Sequence, residues 1–426
     1  MPGLLLAQSA VRDGSSAKGA DAAPVGPLPS WLSVGGQLRV RAESYTGGGF
    51  KPDNSDTYVL TRAIINARVR PTSSTTLFVE GMDARGAWKN KTPVGAPFRD
   101  YADLRQLYGQ VGADNGAAML RAGRQELFFG DGRLVGPLLW ANTARTFDAA
   151  RGTIGRAGYR LDAFAASVVR VEQGKFDRNL PGNNFYGLYG SASKLVPKSV
   201  VEPFLFLRRQ SGLNSEAGVR GVLNFGTLGL RAAGKPASFD YDAQVAAQNG
   251  SLGDERVRAW AGHGLIGYTL KPAPLTPRLY GEYNQATGDA NPTDNRKGTF
   301  DQLYPTGHDK YGLTDLVGWQ NMRHFRGGLD LAVAKGWTAT ARYSSYRLYD
   351  AHDALYSGGG ASLARSPTGV AGTDVGREID LIASGKLRPG LGFSAGYGRL
   401  VPGKFLKTTT PGKTYSYPYG MLTYDF

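Results

Sequence analysis

The chain reads as all-β: a single transmembrane antiparallel β-barrel of about 18 strands. Three observations predict this fold class. Apolar and polar residues alternate at period two in nearly every window of about twenty residues. The polar face of each alternating run is often charged, which calls for water on that side. The last run, Tyr415 to Phe426, carries Leu422, Tyr424 and Phe426 on one face, as a closing strand between lipid and water would.

Each strand follows from its own pattern. In the first, Leu32, Val34, Leu38, Val40 and Ala42 oppose Gln37, Arg39, Arg41 and Glu43. In the second, Val59, Ala63, Ile65, Ala67 and Val69 oppose Arg62, Asn66, Arg68 and Arg70. Further on, Phe239, Tyr241, Ala243, Val245 and Ala247 oppose Asp240, Asp242, Gln244 and Gln248. Near the end, Ile379, Leu381 and Ala383 oppose Glu378, Asp380 and Ser384. A β-sandwich also alternates, but its buried face would carry large residues throughout. Here the apolar face is often Ala, Gly, Val or Tyr, and a wet face on every strand fits a closed barrel with a polar lumen.

Composition agrees. Gly 60 and Tyr 22 in 426 residues are high, as tight turns and curved strands require. No stretch approaches the run of about eighteen apolar residues that a membrane helix needs. A mean hydropathy of -0.31 does not count against a membrane barrel, because only every second residue is apolar. Cysteine is absent, which excludes disulfides, thiolate catalysis and cysteine metal sites. Lys and Arg number 50 against 35 acids, a net charge of +15. The cations recur singly within strands rather than in blocks, so the surplus points to anions in the lumen and not to nucleic acid.

The chain organises as residues 1–30, a signal-peptide remnant and flexible leader, and 31–426, the barrel. Leu4 to Ala10 looks like the end of a secretory signal, an apolar run before a small-x-small site. Pro181-Gly182 and Pro389-Gly390 read as short turns, whereas 86–100, 287–315 and 351–375 read as long loops at the other end. Trp31, Trp88, Trp140, Trp337, Tyr397 and Tyr419 are candidates for interfacial girdles, with some expected in loops or in the lumen. Two glycine runs, the one ending in Gly48-Gly49 before Phe50 and Gly358-Gly359-Gly360, read as flexible connections. Neither opens an apolar helix after a buried strand, as a phosphate-binding loop would.

Several segments resemble the alginate export family. They are Asp103 to Tyr108 (DLRQLY), Gly123 to Leu127 (GRQEL), Gly130 to Gly136 (GDGRLVG) and Arg145 to Asp148 (RTFD). Later come Tyr304 to Lys310, Asp315 to Asn321, Asp353 to Ser357, and Tyr397 through Lys407. They match in order over almost the whole chain from about residue 31, although Gly132 stands where an acidic residue is expected. The resemblance implies an 18-stranded monomeric barrel of the outer membrane, with an arginine-lined constriction through which a polyuronate leaves the periplasm.

A polyuronate carries one carboxylate per sugar, so its channel needs cations spaced along the path. Arginine suits this, because its planar fork pairs bidentately with a carboxylate. The substrate-binding candidates are Arg62, Arg68, Arg105, Arg124, Arg145, Arg151 and Arg342. Asp103, Glu126 and Asp148, close in sequence to Arg105, Arg124 and Arg145, are the acids expected to tune them. For any single arginine the competing reading is a wall ion pair, and Arg39 and Arg41 are read as wall pairs or periplasmic-rim residues. No catalytic residue, cofactor or metal is expected: no His-x-His or His-x3-His pair occurs. His308 and His352 are read as ordering loops rather than joining Ser357 in catalysis. The expected partners are an anionic polysaccharide, outer-membrane lipid and a periplasmic export or scaffold protein. Uptake of acidic oligosaccharides, an outer-membrane hydrolase and a purely anchoring barrel are the competing functions.

Overall fold

A computed structural model describes residues 28–92, 95–216 and 218–426. Most of the expected leader therefore lies outside the described residues. Eighteen strands form the barrel wall. The first nine are β1 (Leu32–Tyr45), β2 (Asp56–Val69), β3 (Thr75–Ala87), β4 (Asp100–Val111), β5 (Ala118–Gln125), β6 (Phe147–Arg156), β7 (Tyr159–Arg170), β8 (Arg178–Ala192) and β9 (Ser199–Asn214). The rest are β10 (Arg220–Gly234), β11 (Phe239–Leu252), β12 (Glu255–Thr269), β13 (Arg278–Ala286), β14 (Met322–Ala334), β15 (Trp337–Leu348), β16 (Asp374–Arg388), β17 (Leu391–Pro402) and β18 (Tyr415–Asp425).

Sequential strands pair antiparallel, and β18 closes on β1 with Leu38 opposite Tyr424 and Val40 opposite Leu422. Closure leaves the wall without a free edge, the condition for crossing a bilayer with strands. The parity expected from the sequence holds. Leu38, Val40, Ile65, Val245, Ile379 and Leu381 face outward and are about half exposed, while Arg39, Arg41, Gln244, Glu378 and Asp380 are buried inside. Leu228, near the middle of β10, is one of this outward band. Leu228→Arg is expected to cost about 2–4 kcal/mol in a bilayer. Urea unfolding in vesicles checks this, and no loss relative to a rim substitution would show that the band is not at lipid depth.

The connections are asymmetric, as expected. Turns 157–158, 335–336 and 389–390 lie at the end of the barrel where β1 begins, and 88–99, 126–146, 287–321 and 349–373 lie at the other. Pro181-Gly182 departs from expectation, for it lies within β8. The β7–β8 register shifts between Ser167 and Val169, and Gly182 adopts a φ of 75°, so the dipeptide sits at an irregularity of the ladder where proline is tolerated. Trp31 and Trp88 are exposed, but Trp140 and Tyr419 face the interior and pack edge-on against each other there. Gly48–Phe50 forms a 3-10 turn whose Phe50 is buried.

The largest departure is the lumen itself. Alternation predicts a wet inward face on every strand. Instead Phe147, Phe164, Phe185, Phe204, Phe206 and Phe225 point inward from β6–β10 and are buried. They pack with Phe129 of the 126–146 connection, which stacks on Phe164 at 5.2 Å and on Tyr189 at 4.8 Å between ring centroids. The long connections fold into the barrel and bring their own apolar surface. Segment 126–146 pairs with 287–321 through Gly136 N–H to Tyr304 O (2.9 Å) and Tyr304 N–H to Leu134 O (2.8 Å). Segment 349–373 joins through Gly318 N–H to Tyr356 O (2.8 Å) and Gly358 N–H to Asp315 O (3.0 Å). These bonds satisfy backbone groups that irregular chain inside a barrel would otherwise leave orphaned.

Candidate functional site

The inward face of β1–β4 is rich in arginine. Register sets Arg39 of β1 opposite Arg62 of β2. Like charges directly opposite each other repel, so this pair is costly unless something answers it. Among the described residues, no carboxylate lies within ion-pair distance of either. The answer comes from the inward connection 126–146. Arg39 donates to the carbonyls of Leu139 (2.8 Å) and Trp140 (3.3 Å) and to Asn142 Oδ1 (3.0 Å). Arg62 donates to the carbonyls of Leu139 (3.0 Å) and Ala141 (3.3 Å) and to Gln37 Oε1 (2.7 Å). Asn142 in turn donates to Thr61 O, Arg85 O and Phe98 O at 3.0–3.1 Å, pinning the segment to the wall.

Arg41 combines the expected wall pair with an unexpected role. It bonds Glu43 at 2.5 Å, and also donates to Trp140 O and lies over the Trp140 ring at 3.8 Å. The other face of Trp140 stacks on His308, with centroids 3.6 Å apart, and His308 Nδ1 lies 2.6 Å from Asp315. Asp309, one residue on, bonds Arg342 of β15. A relay of contacts thus runs across the lumen from β1 to β15 through two inward connections. His308 orders loops, as expected. His352 pairs with Asp350 at 3.0 Å, while Ser357 Oγ accepts from the Ala361 amide, and no hydrogen bond joins His352 to Ser357 among the described residues.

A second centre surrounds Arg133. Its guanidinium donates to Asn284 Oδ1 (3.2 Å) and Tyr311 Oη (3.1 Å) and meets His263 Nε2 (3.2 Å), with Asp131 at 3.2 Å and Glu282 at 3.7 Å. Burial alone would lower the Arg133 guanidinium, but Tyr311, Asp131 and Glu282 outweigh it and hold it above its usual value. Burial acts to raise the Asp131 carboxyl, yet Lys310 and Arg133 hold it well below the usual range. His263 and His324 meet here through Asn284. Nothing in the local sequence marks this cluster, because its members lie on three strands and two connections.

The predicted arginines divide by partner. Arg62, Arg68, Arg105, Arg151 and Arg342 point inward, and Arg145 lies on the inward connection. Arg62, Arg68 and Arg145 have no carboxylate within ion-pair distance among the described residues. Arg68 lies over the Phe78 ring at 5.0 Å. Arg145 donates to Gly136 O (3.2 Å) and Pro305 O (3.0 Å), and burial and nearby Arg208 pull its guanidinium down to about 10, still charged at neutral pH. Arg105 is held between Glu80 and Glu126, and Arg151 bonds Asp162 at 3.0 Å. Arg124 is a correction. It shares the parity of outward Leu120 and Ala122, and the β5–β6 register sets it opposite Asp148, which it bonds at 2.8 Å. It faces away from the lumen.

Of the three tuning acids, Glu126 pairs with Arg105 and Asp148 with Arg124. Asp103 bonds no arginine and instead accepts the amides of Leu104 (2.5 Å) and Asp177 (2.7 Å). The reason is a pair of bulges in β4. Glu80 faces Gln106 while Gly81 faces Leu104, and Met82 faces Asp103 while Ala84 faces Asp100. Each irregularity inserts one residue, so Arg105 and Gln106, though consecutive, are both buried inside, as are Asp100 and Asp103. Gly123 serves the same region: its φ of 125° brings it against Leu107 O, where a Cβ would collide.

A family model described as alginate export matches residues 30–418. No curated protein sequence matches the chain. Among solved structures, Acinetobacter baumannii OccAB2 is similar at 11% identity, covering 93% of this chain and 98% of that one, with a TM-score of 0.64. Pseudomonas aeruginosa OccK3 (OpdO) is similar at 12% identity, covering 92% and 95%, with a TM-score of 0.61. Pseudomonas aeruginosa OccK2 (OpdF), solved in complex with glucuronate, is similar at 13% identity, covering 93% and 98%, with a TM-score of 0.59.

Proposed function

Given that the chain belongs to the alginate export family and is an outer-membrane porin, we propose that it passes an anionic, alginate-like polyuronate by diffusion along lumen arginines. The observation that carries this reading is the facing pair Arg39 and Arg62, answered by main-chain carbonyls rather than by acids. A carbonyl is a weak acceptor beside a carboxylate, whose bonds to arginine are about twice as strong. A uronate reaching this pair therefore competes well with residues 139–142. Arg62, Arg68 and Arg145, which have no acid partner among the described residues, are the strongest of the predicted sites, while Arg105, Arg151 and Arg342 with their acids temper the field. Passage needs no bond breaking, and each carboxylate is handed from one cation to the next.

Uptake or passage of short acidic sugars is the second reading. The inward connections favour it, because 126–146, 287–321 and 349–373 narrow the path that a polymer would thread. The glucuronate complex of OccK2 supports a uronate as the ligand class. Planar-bilayer recording of the refolded protein separates these readings. The expected result is anion-selective current blocked by polyguluronate or polymannuronate, with block weakened about tenfold or more in the Arg39→Ala/Arg62→Ala variant. Block by glucuronate but by neither polymer selects the second reading. Anion-selective current indifferent to all three discards uronates.

A further inference from the structure

Beyond the last residue of β5, the shortest barrel strand, the 171–177 connection approaches β4 directly. There Asp177 N–H donates to Asp103 Oδ2 at 2.7 Å. Three carboxylates meet at this seam. Asp100, Asp103 and Asp177 each offer an oxygen within 4.8 Å of the others. None has a cationic partner within ion-pair distance among the described residues. The arginines that line the adjoining cavity of about 280 Å³ are engaged elsewhere: Arg105 by Glu80 and Glu126, Arg145 by carbonyls, and Arg170 by Glu172.

Clustered acids alone say little, but Asp100 adds a separate observation. Its side chain is 0% exposed, and neither Oδ1 nor Oδ2 has a hydrogen-bond partner of normal geometry. Its position is built by the β4 bulge, which turns Asp100 to the same side as Asp103 although they stand three positions apart, an odd spacing. A buried carboxylate with no well-formed hydrogen bond, touched only by the Tyr101 amide and aimed at two further carboxylates, is missing a positive charge. The alternatives are a proton or a cation.

We propose that Asp100, Asp103 and Asp177 bind a divalent cation, calcium by preference, which clasps the 171–177 connection to β4. Hard oxygen donors without nitrogen or sulfur suit calcium or magnesium, and three carboxylates suit calcium better, because magnesium dehydrates reluctantly and is usually held by only one or two. The adjoining cavity leaves room for water to complete the shell. The seam lies at the long-loop end of the barrel, which in outer-membrane barrels faces the exterior. Asp103 keeps the amide bonds that orient it, and Asp177 is oriented by Glu172 N–H at 2.7 Å.

The test uses the full-length barrel refolded in detergent, stripped with EDTA and held at pH 8 so that a proton is a poor substitute. Calcium chloride at about 10 mM is expected to raise the melting temperature by about 2–4 °C. It should also slow tryptic cleavage after Lys175 about tenfold. Asp100→Asn/Asp177→Asn removes two uncompensated charges, so it should fold in EDTA at least as stably as the parent and ignore calcium. Asp294→Asn, in another connection, should respond as the parent does. No calcium response in the parent, or an equal response in the double variant, would overturn the proposal. An equal response to magnesium would overturn the preference for calcium.

Discussion

Replacing Trp319 with alanine should raise single-channel conductance severalfold while leaving the barrel closed. Trp319 is fully buried, packs edge-on against Phe300 at 5.4 Å, and lies under the Arg133 guanidinium at 5.5 Å. Its amide donates to Gln302 Oε1 at 2.9 Å. Truncating a fully buried tryptophan costs about 3–5 kcal/mol. That loss falls on the inward connections and not on the wall, because 287–321 adds to the ladder only the short Arg296–Lys297 pairing on β12. A plug held by many small contacts tolerates such a loss poorly, so its open population should rise. Conductance in planar bilayers, alongside heat-modifiable migration in detergent gels, separates the two parts. Unchanged conductance with an intact barrel would show that Trp319 does not obstruct the path.

Arg105→Ala should destabilise the protein by about 3–5 kcal/mol, because it strands Glu80 and Glu126 as buried charges facing each other. Gln106 Nε2, which also reaches Glu80 at 2.9 Å, is too weak a substitute for a guanidinium. Neutralising the acids as well, in Arg105→Ala/Glu80→Gln/Glu126→Gln, should recover most of the loss. That contrast, read by urea unfolding, decides what Arg105 does. If Arg105→Ala leaves stability intact but weakens uronate block, the residue is a ligand-binding cation and not a strut.

Much of the fold is legible without coordinates. Parity along β1, β2, β11 and β16 reports which side chains meet lipid, because a strand presents successive residues to opposite faces. The long connections at 287–315 and 351–375 are visible for the same reason, as places where parity stops. Parity fails where the ladder does. Arg124 reads as a lumen residue only while its strand is assumed to match its neighbours, and the β4 bulges turn Asp100, Arg105 and Gln106 inward against simple alternation. Pro181-Gly182 looks like a turn locally, but the β7–β8 ladder absorbs it.

By itself the sequence determined the barrel, its approximate strand number and the family resemblance. All of these rest on residues close together in the chain, or on totals over it. Only the tertiary structure decided which arginine meets which partner. Arg39 finds its acceptors about a hundred residues away, Arg133 gathers groups from β12 and β13, and the phenylalanines of β6–β10 are covered by an inward connection. Such pairings depend on closure and on loops that fold back through the lumen. Local periodicity carries no information about them, since one inward-facing arginine looks the same in sequence whether a carbonyl, a carboxylate or a passing sugar answers it.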